Sequence, residues 1–184
     1  MMGGRVLTGR WVLAVLALTL GVQIVIREGR PAPPLPGGPY AGDLLPELPV
    51  GMLDGGHRST LREVVSGSGT CSLLAVISTS CGVCARMRVT WLDRFNAWAD
   101  SVDGVVRPVW LAGEGEASLE RFTRDFDLAS IDLVFTAGSP RQAGRELGVI
   151  GTPTLYLVDA QGRVRSGVLG DQFPPADIAR SICE

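Results

Sequence analysis

Ser80-Cys81-Gly82-Val83-Cys84 follows a nearly unbroken apolar run, Ser72-Leu73-Leu74-Ala75-Val76-Ile77-Ser78, and opens a helical pattern that continues from Cys84 to about Trp98. The run is continuous rather than alternating, which predicts a central strand covered on both faces. Met87, Trp91, Phe95 and Trp98 recur at spacings of four, four and three, one face of a helix packed on a core. Two cysteines two residues apart, where a strand gives way to a helix, have the layout of a redox-active dithiol. The first amides of a helix have no partner within it. Those amides and the helix dipole favour a thiolate, so Cys81 is expected to be the nucleophile, with a depressed pKa. Cys84, one turn on, is placed to resolve a mixed disulfide. A zinc site would need a second pair at similar spacing, and Cys71 and Cys183 do not form one. No metal and no cofactor beyond the Cys81/Cys84 pair is expected.

The chain has 184 residues, with 17 basic and 19 acidic side chains and a formal net charge of -2. That balance leaves no electrostatic footprint for nucleic acid. The basic residues are all Arg and there is one histidine, His57. A histidine-rich metal site or a Ser-His-Asp triad is hard to build from that inventory. The four cysteines are compatible with two disulfides.

Arg5 and Arg10 precede an apolar segment, Trp11 to Ile26, closed by Arg27-Glu28-Gly29-Arg30. A positive start followed by an apolar core is an export signal. No A-x-A site follows it, and its length is just below the ~17–25 residues of a full span. Residues 1–30 are read as an uncleaved signal anchor with its amino terminus in the cytoplasm; a cleaved export peptide is the alternative. Residues 31–46 are rich in Pro and Gly, which favours an extended tether. A soluble domain is expected over 47–184, on the periplasmic or extracytoplasmic side.

Within that domain, Leu48–Leu53, a turn at Asp54-Gly55-Gly56 and a return over His57–Thr60 predict an N-terminal β-hairpin. Thr60 is placed to cap a helical turn over Leu61–Val65. A second strand is expected over Val105–Leu111, with one free side at Pro108, which has no amide to donate. A helix over Glu116–Phe126, a short strand over Ile131–Phe135 and a helix over Pro140–Leu147, capped by Ser139 and stopped by Gly148, come next. Gly151-Thr152-Pro153-Thr154 leads into a hairpin, Leu155–Val158 and Arg163–Leu169, and Pro174–Cys183 closes the chain as a helix. The order predicts an α/β fold, a mixed central sheet with helices on both faces.

The Cys81-Gly82-Val83-Cys84 motif, followed about seventy residues later by Gly151-Thr152-Pro153-Thr154 and a hairpin, resembles the thioredoxin superfamily. The export segment, the tether and the Leu53-Asp54-Gly55-Gly56…Ser59-Thr60-Leu61 stretch are similar to its membrane-anchored TlpA/ResA branch. The resemblance covers residues 46–184. It implies a cis Thr152-Pro153 bond facing the dithiol, with the Thr152 backbone offered to an extended substrate by strand addition. It also places Cys71 and Cys183 at the end of the sheet away from the dithiol. There they would form a structural disulfide, or stay as two free thiols. The chain departs from the family at four positions. Ser80 stands where Trp is common, and Val83 where Pro is common. Ala75 replaces the buried acid of thioredoxins. Met87 replaces an acid of some anchored reductases.

The function so implied is an extracytoplasmic thiol-disulfide oxidoreductase, more a reductase than an oxidase. Its partners would be exported proteins with thiols or disulfides, a membrane electron donor and the membrane itself, with no nucleic acid. Two alternatives stand beside it. A thiol peroxidase usually carries Thr three residues before its reactive Cys, where this chain has Ser78. A copper-binding assembly module on this fold uses two Cys and a later His, whereas His57 precedes the dithiol.

Overall fold

The seven residues Cys71–Ile77 form β3, buried along its whole length. The other elements are laid out around it. In this computed structural model the described residues are 41–55, 58–102, 106–126, 128 and 130–183. The expected anchor over 1–30, most of the tether and His57 lie outside them. Among the described residues no helix is long and apolar enough to cross a membrane.

The strands are β1 Pro49–Met52, β2 Ser59–Thr60, β3, β4 Val106–Ala112, β5 Asp132–Thr136, β6 Thr154–Val158 and β7 Val164–Leu169. They make one mixed sheet in the order β2-β1-β5-β4-β3-β6-β7. β3, β4 and β5 are parallel. β6 and β7 continue the sheet antiparallel on one side, and β1 and β2 do so on the other. The helices are α1 Leu61–Ser66, α2 Gly82–Ala99, α3 Glu116–Thr123, α4 Pro140–Glu146 and α5 Ala176–Cys183.

Side chains of a strand alternate between its faces, and β3 divides accordingly. Leu73, Ala75 and Ile77 join a core with Met87, Trp91 and Phe95 of α2, Leu119 and Phe122 of α3, and Ala179 of α5. Leu74 and Val76 join a second core with Leu61 and Val65 of α1 and Ala143 of α4. Ser72, the polar residue in the run, is buried and donates to Val65 O at 2.8 Å. The predicted continuous apolar strand is therefore the centre of a three-layer structure.

Local signals set the element ends. Thr60 and Glu63 form a reciprocal capping box on α1, so the chain leaves the strand at Thr60 and β2 keeps only two residues. Ser139 caps α4 by accepting from Gln142 N, and Gly148, at φ +57°, turns the chain out of it. β4 is an interior strand, yet Pro108 faces a partner on β3 alone, because pairing with β5 starts at Val109. The missing amide therefore costs no ladder bond to β5.

The last residues of the Pro- and Gly-rich stretch are laced to the sheet. Gly42 N donates to Val164 O and Leu45 N to Gly162 O, and Leu44 bridges Arg163. Leu45 and Leu48 are fully buried in the second core. Proline density marks an extended chain but does not tell a free one from one laced to a sheet; the Leu44-Leu45 pair makes that difference.

Candidate active site

α2 begins directly behind Cys81, which is its N-cap in an extended conformation. Cys84 N donates to Cys81 Sγ at 3.3 Å. One helix-terminal amide that lacks a partner in the helix is thus spent on the sulfur. The two thiols are free; Cys84 is buried, and Cys81 is partly exposed.

Opposite the sulfur stands the loop between α4 and β6. The Thr152-Pro153 bond is cis, and Cys81 Sγ donates to Thr152 O at 3.2 Å. This loop is held from both sides. Tyr156 Oη, buried in β6, donates to Leu147 O at 2.7 Å and so ties the end of α4 to the sheet. Thr154 Oγ1 donates to Gly151 O at 2.7 Å. A side chain at Gly151 would press on Leu169 Cδ1, 3.2 Å from where its Cβ would stand, so glycine lets the loop lie against β7.

The environment separates the two thiols. Burial works to raise the Cys81 pKa, but hydrogen bonds from the Cys84 side chain and backbone, the Thr152 side chain and the Val83 backbone outweigh it and hold the value below normal. Burial pushes Cys84 up to about 11, and its bond to Cys81 adds to the rise. Cys81 is thus the thiolate of the pair and Cys84 the thiol held in reserve. Val83, Ile150 and Leu169, exposed by 41%, 59% and 49%, are three of the large apolar side chains left open to solvent. Each belongs to the dithiol, the Thr152 loop or the strand beside it, so the sulfur sits in an apolar rim.

At the opposite end of β3, Cys71 is bonded to Cys183 with a Cα separation of 5.5 Å, within the usual range for a bridge. α5 returns to the base of the sheet, and the bridge fastens it there. Among the described residues no group of three or more His, Cys, Asp or Glu is placed to hold a metal ion.

One participant was not foreseen. Glu114, in the loop after β4, accepts from Ser78 Oγ at 2.6 Å and from Thr79 N at 3.2 Å. The available signal was an acid flanked by glycines directly after a buried strand, at the end of the sheet that carries the dithiol.

No family model matches the chain, and no curated protein matches it. Solved structures do. The thioredoxin domain of a thiol-disulfide oxidoreductase from Bacteroides vulgatus is similar at a TM-score of 0.56 and 16% identity, over 77% of this chain and 94% of that one. A thiol:disulfide interchange protein from Bacteroides sp. gives 0.57 and 16%, over 78% and 88%. A thiol peroxidase from Chromobacterium violaceum gives 0.56 and 19%, over 78% and 85%. The fold is thioredoxin-like. The cis Thr152-Pro153 bond and the dithiol at the start of α2 occupy the places that a thioredoxin-like resemblance assigns them.

Proposed function

We propose that the protein is an extracytoplasmic thiol-disulfide oxidoreductase of the membrane-anchored TlpA/ResA type, working as a reductase. The observation that carries this reading is the split between the two thiols, with Cys81 low and partly exposed and Cys84 high and buried. The Cys81 thiolate attacks a substrate disulfide, and a Cys81–substrate bond forms as the substrate S–S bond breaks. The released substrate sulfur takes a proton. Cys84 loses its proton and attacks Cys81, and the second substrate sulfur leaves as a thiol. The substrate gains two electrons and the protein is left with a Cys81–Cys84 disulfide, which a membrane electron donor reduces. Thr152 and Pro153 present the backbone edge against which an extended substrate lies. The apolar rim favours segments exposed in unfolded exported proteins. The Trp11–Ile26 segment and the Pro-rich stretch support an anchored, periplasmic placement.

Insulin-disulfide reduction by the full chain tests the activity, with Cys81→Ser as the inactive control. A wild-type protein that is folded and inert refutes general reduction. Direction is read from the potential: about -250 mV or lower suits a reductase, and near -120 mV an oxidant. A thiol peroxidase is the second reading, raised by the Chromobacterium violaceum neighbour. Ser78 Oγ is turned to Glu114 and Ser80 rather than to Cys81, which weighs against it. Peroxide turnover by the wild type would reverse that ranking.

A further inference from the structure

Between the last paired residue of β3, Ile77, and the first residue of α2, Gly82, the chain has neither sheet nor helix ladder to hold it. Those linking residues decide where the Cys81 sulfur stands. Glu114 grips them from across the loop, with Oε1 on Ser78 Oγ at 2.6 Å and Oε2 on Thr79 N at 3.2 Å. Ser78 passes the grip on. Its hydroxyl accepts from Ser80 N at 3.3 Å and lies 2.9 Å from Ser80 Oγ, and its carbonyl accepts from Cys81 N at 3.1 Å. One carboxylate therefore braces the residue from which the Cys81 backbone is held, and Cys84 N in turn donates to the Cys81 sulfur.

We propose that Glu114 is a positioning residue of the dithiol, clamping Ser78 and Thr79 and so setting where the Cys81 sulfur stands relative to the donors that face it. The purpose of the clamp rests on the thiol-disulfide reading; its test is made on the thiols themselves and needs no substrate. The carboxylate acts in two ways of opposite sign. Its charge disfavours a nearby thiolate, while its hydrogen bonds hold the thiolate's donors in place. Glu114→Gln keeps the shape: its oxygen accepts from Thr79 N and its amide donates to Ser78 Oγ, without the charge. Glu114→Ala removes charge and bonds together.

Alkylation of Cys81 by iodoacetamide, followed against pH in the reduced full chain and assigned to the residue by mass spectrometry, reads the thiolate directly. Glu114→Ala is expected to move the midpoint upward and to slow alkylation at neutral pH about threefold or more. Glu114→Gln is expected at the wild-type midpoint or below it. A folded Glu114→Ala protein that titrates as wild type overturns the clamp. So does a Glu114→Gln protein displaced upward as far as Glu114→Ala. Ser78→Ala removes the hydroxyl alone and keeps the test open if Glu114→Ala does not fold. It should move the midpoint in the same direction, and no movement there also overturns the proposal. A wild type without insulin-reducing activity would sink the proposed function and leave the titration result standing.

Discussion

Removing the Cys71–Cys183 bridge should cost stability without touching the chemistry. The perturbation is Cys71→Ala combined with Cys183→Ala, compared with wild type while Cys81 and Cys84 are held in one redox state. The bridge closes a sequence separation of 112 residues. For a loop of that length the chain-entropy treatment gives about 16 cal/mol/K, or ~4.8 kcal/mol at 25 °C. Native bridges deliver about 2–5 kcal/mol, so the loss should fall in that range. In a domain of this size each kcal/mol moves Tm by about 2–4 °C, which makes the expected fall roughly 4–20 °C. Urea unfolding measures the free energy and calorimetry the Tm. Activity should be unchanged below the transition, because the bridge starts at the first residue of β3 and the dithiol follows its last, about 20 Å of extended chain away. A loss under about 1 kcal/mol would refute the idea that the bridge restrains the unfolded chain. Reduced insulin turnover in a fully folded variant would refute the separation of the two sulfur pairs.

The remaining predictions concern the site and its supports. Cys84, raised from 9.0 to about 11, should resist alkylation until the pH approaches that value, while Cys81 reacts well below it. Mass-resolved labelling against pH checks the order, and equal labelling of both at pH 9 contradicts it. Stability of the reduced protein should follow the same thiols. The raised Cys84 contribution is fully present below pH 9 and is lost as pH rises towards 11. The depressed Cys81 contribution has the opposite sign, growing as pH rises from its folded value to 9.0. The oxidised protein should show neither slope in urea titrations. Tyr156→Phe leaves Leu147 O buried without its donor and should cost about 1–3 kcal/mol. It should also raise KM for a protein disulfide more than for a small one, since it loosens the Thr152 loop. Trp91→Ala empties the place between Phe95, Trp110 and Phe173, whose rings lie 5.1, 5.3 and 5.7 Å from it. A loss of about 3–5 kcal/mol is expected, read by urea unfolding.

Features carried by a run of neighbouring residues were legible in the sequence. The unbroken apolar stretch placed β3 inside the sheet with both faces covered, the four-four-three spacing oriented α2, and Thr60 and Ser139 took the capping roles expected of them. The dithiol needed only the strand-to-helix change around it. Pairings over long separations were another matter. Cys71 with Cys183 was legible only through resemblance, since residue spacing sets no geometry for a bridge. Glu114 reads as one acid in a polar loop, and Ser78, its partner, lies 36 positions away; neither neighbourhood hints at the other. Helix α3 stops at Thr123 rather than Phe126. Phe126 instead lies beneath the Arg88 guanidinium, 4.3 Å from it, a tertiary contact that helical periodicity cannot show. The lacing of Gly42–Leu45 onto β7 was hidden by the prolines before it.

The aromatic residues are unevenly shared between the two cores. Trp91, Trp98 and Trp110 all belong to the face that carries α2, linked through Phe95 and Phe173. Tyr156 belongs to the other, with α1 and α4. Among the described residues each face therefore has its own chromophore. With Trp11 replaced by Phe, indole fluorescence reports on the layer behind the dithiol and is insensitive to early loosening of the layer behind the Thr152 loop. A melt followed at tryptophan wavelengths alone would look two-state even if α1 and α4 had come away first. Near-ultraviolet dichroism in the tyrosine band, recorded beside it, would show whether the two faces of the sheet let go together.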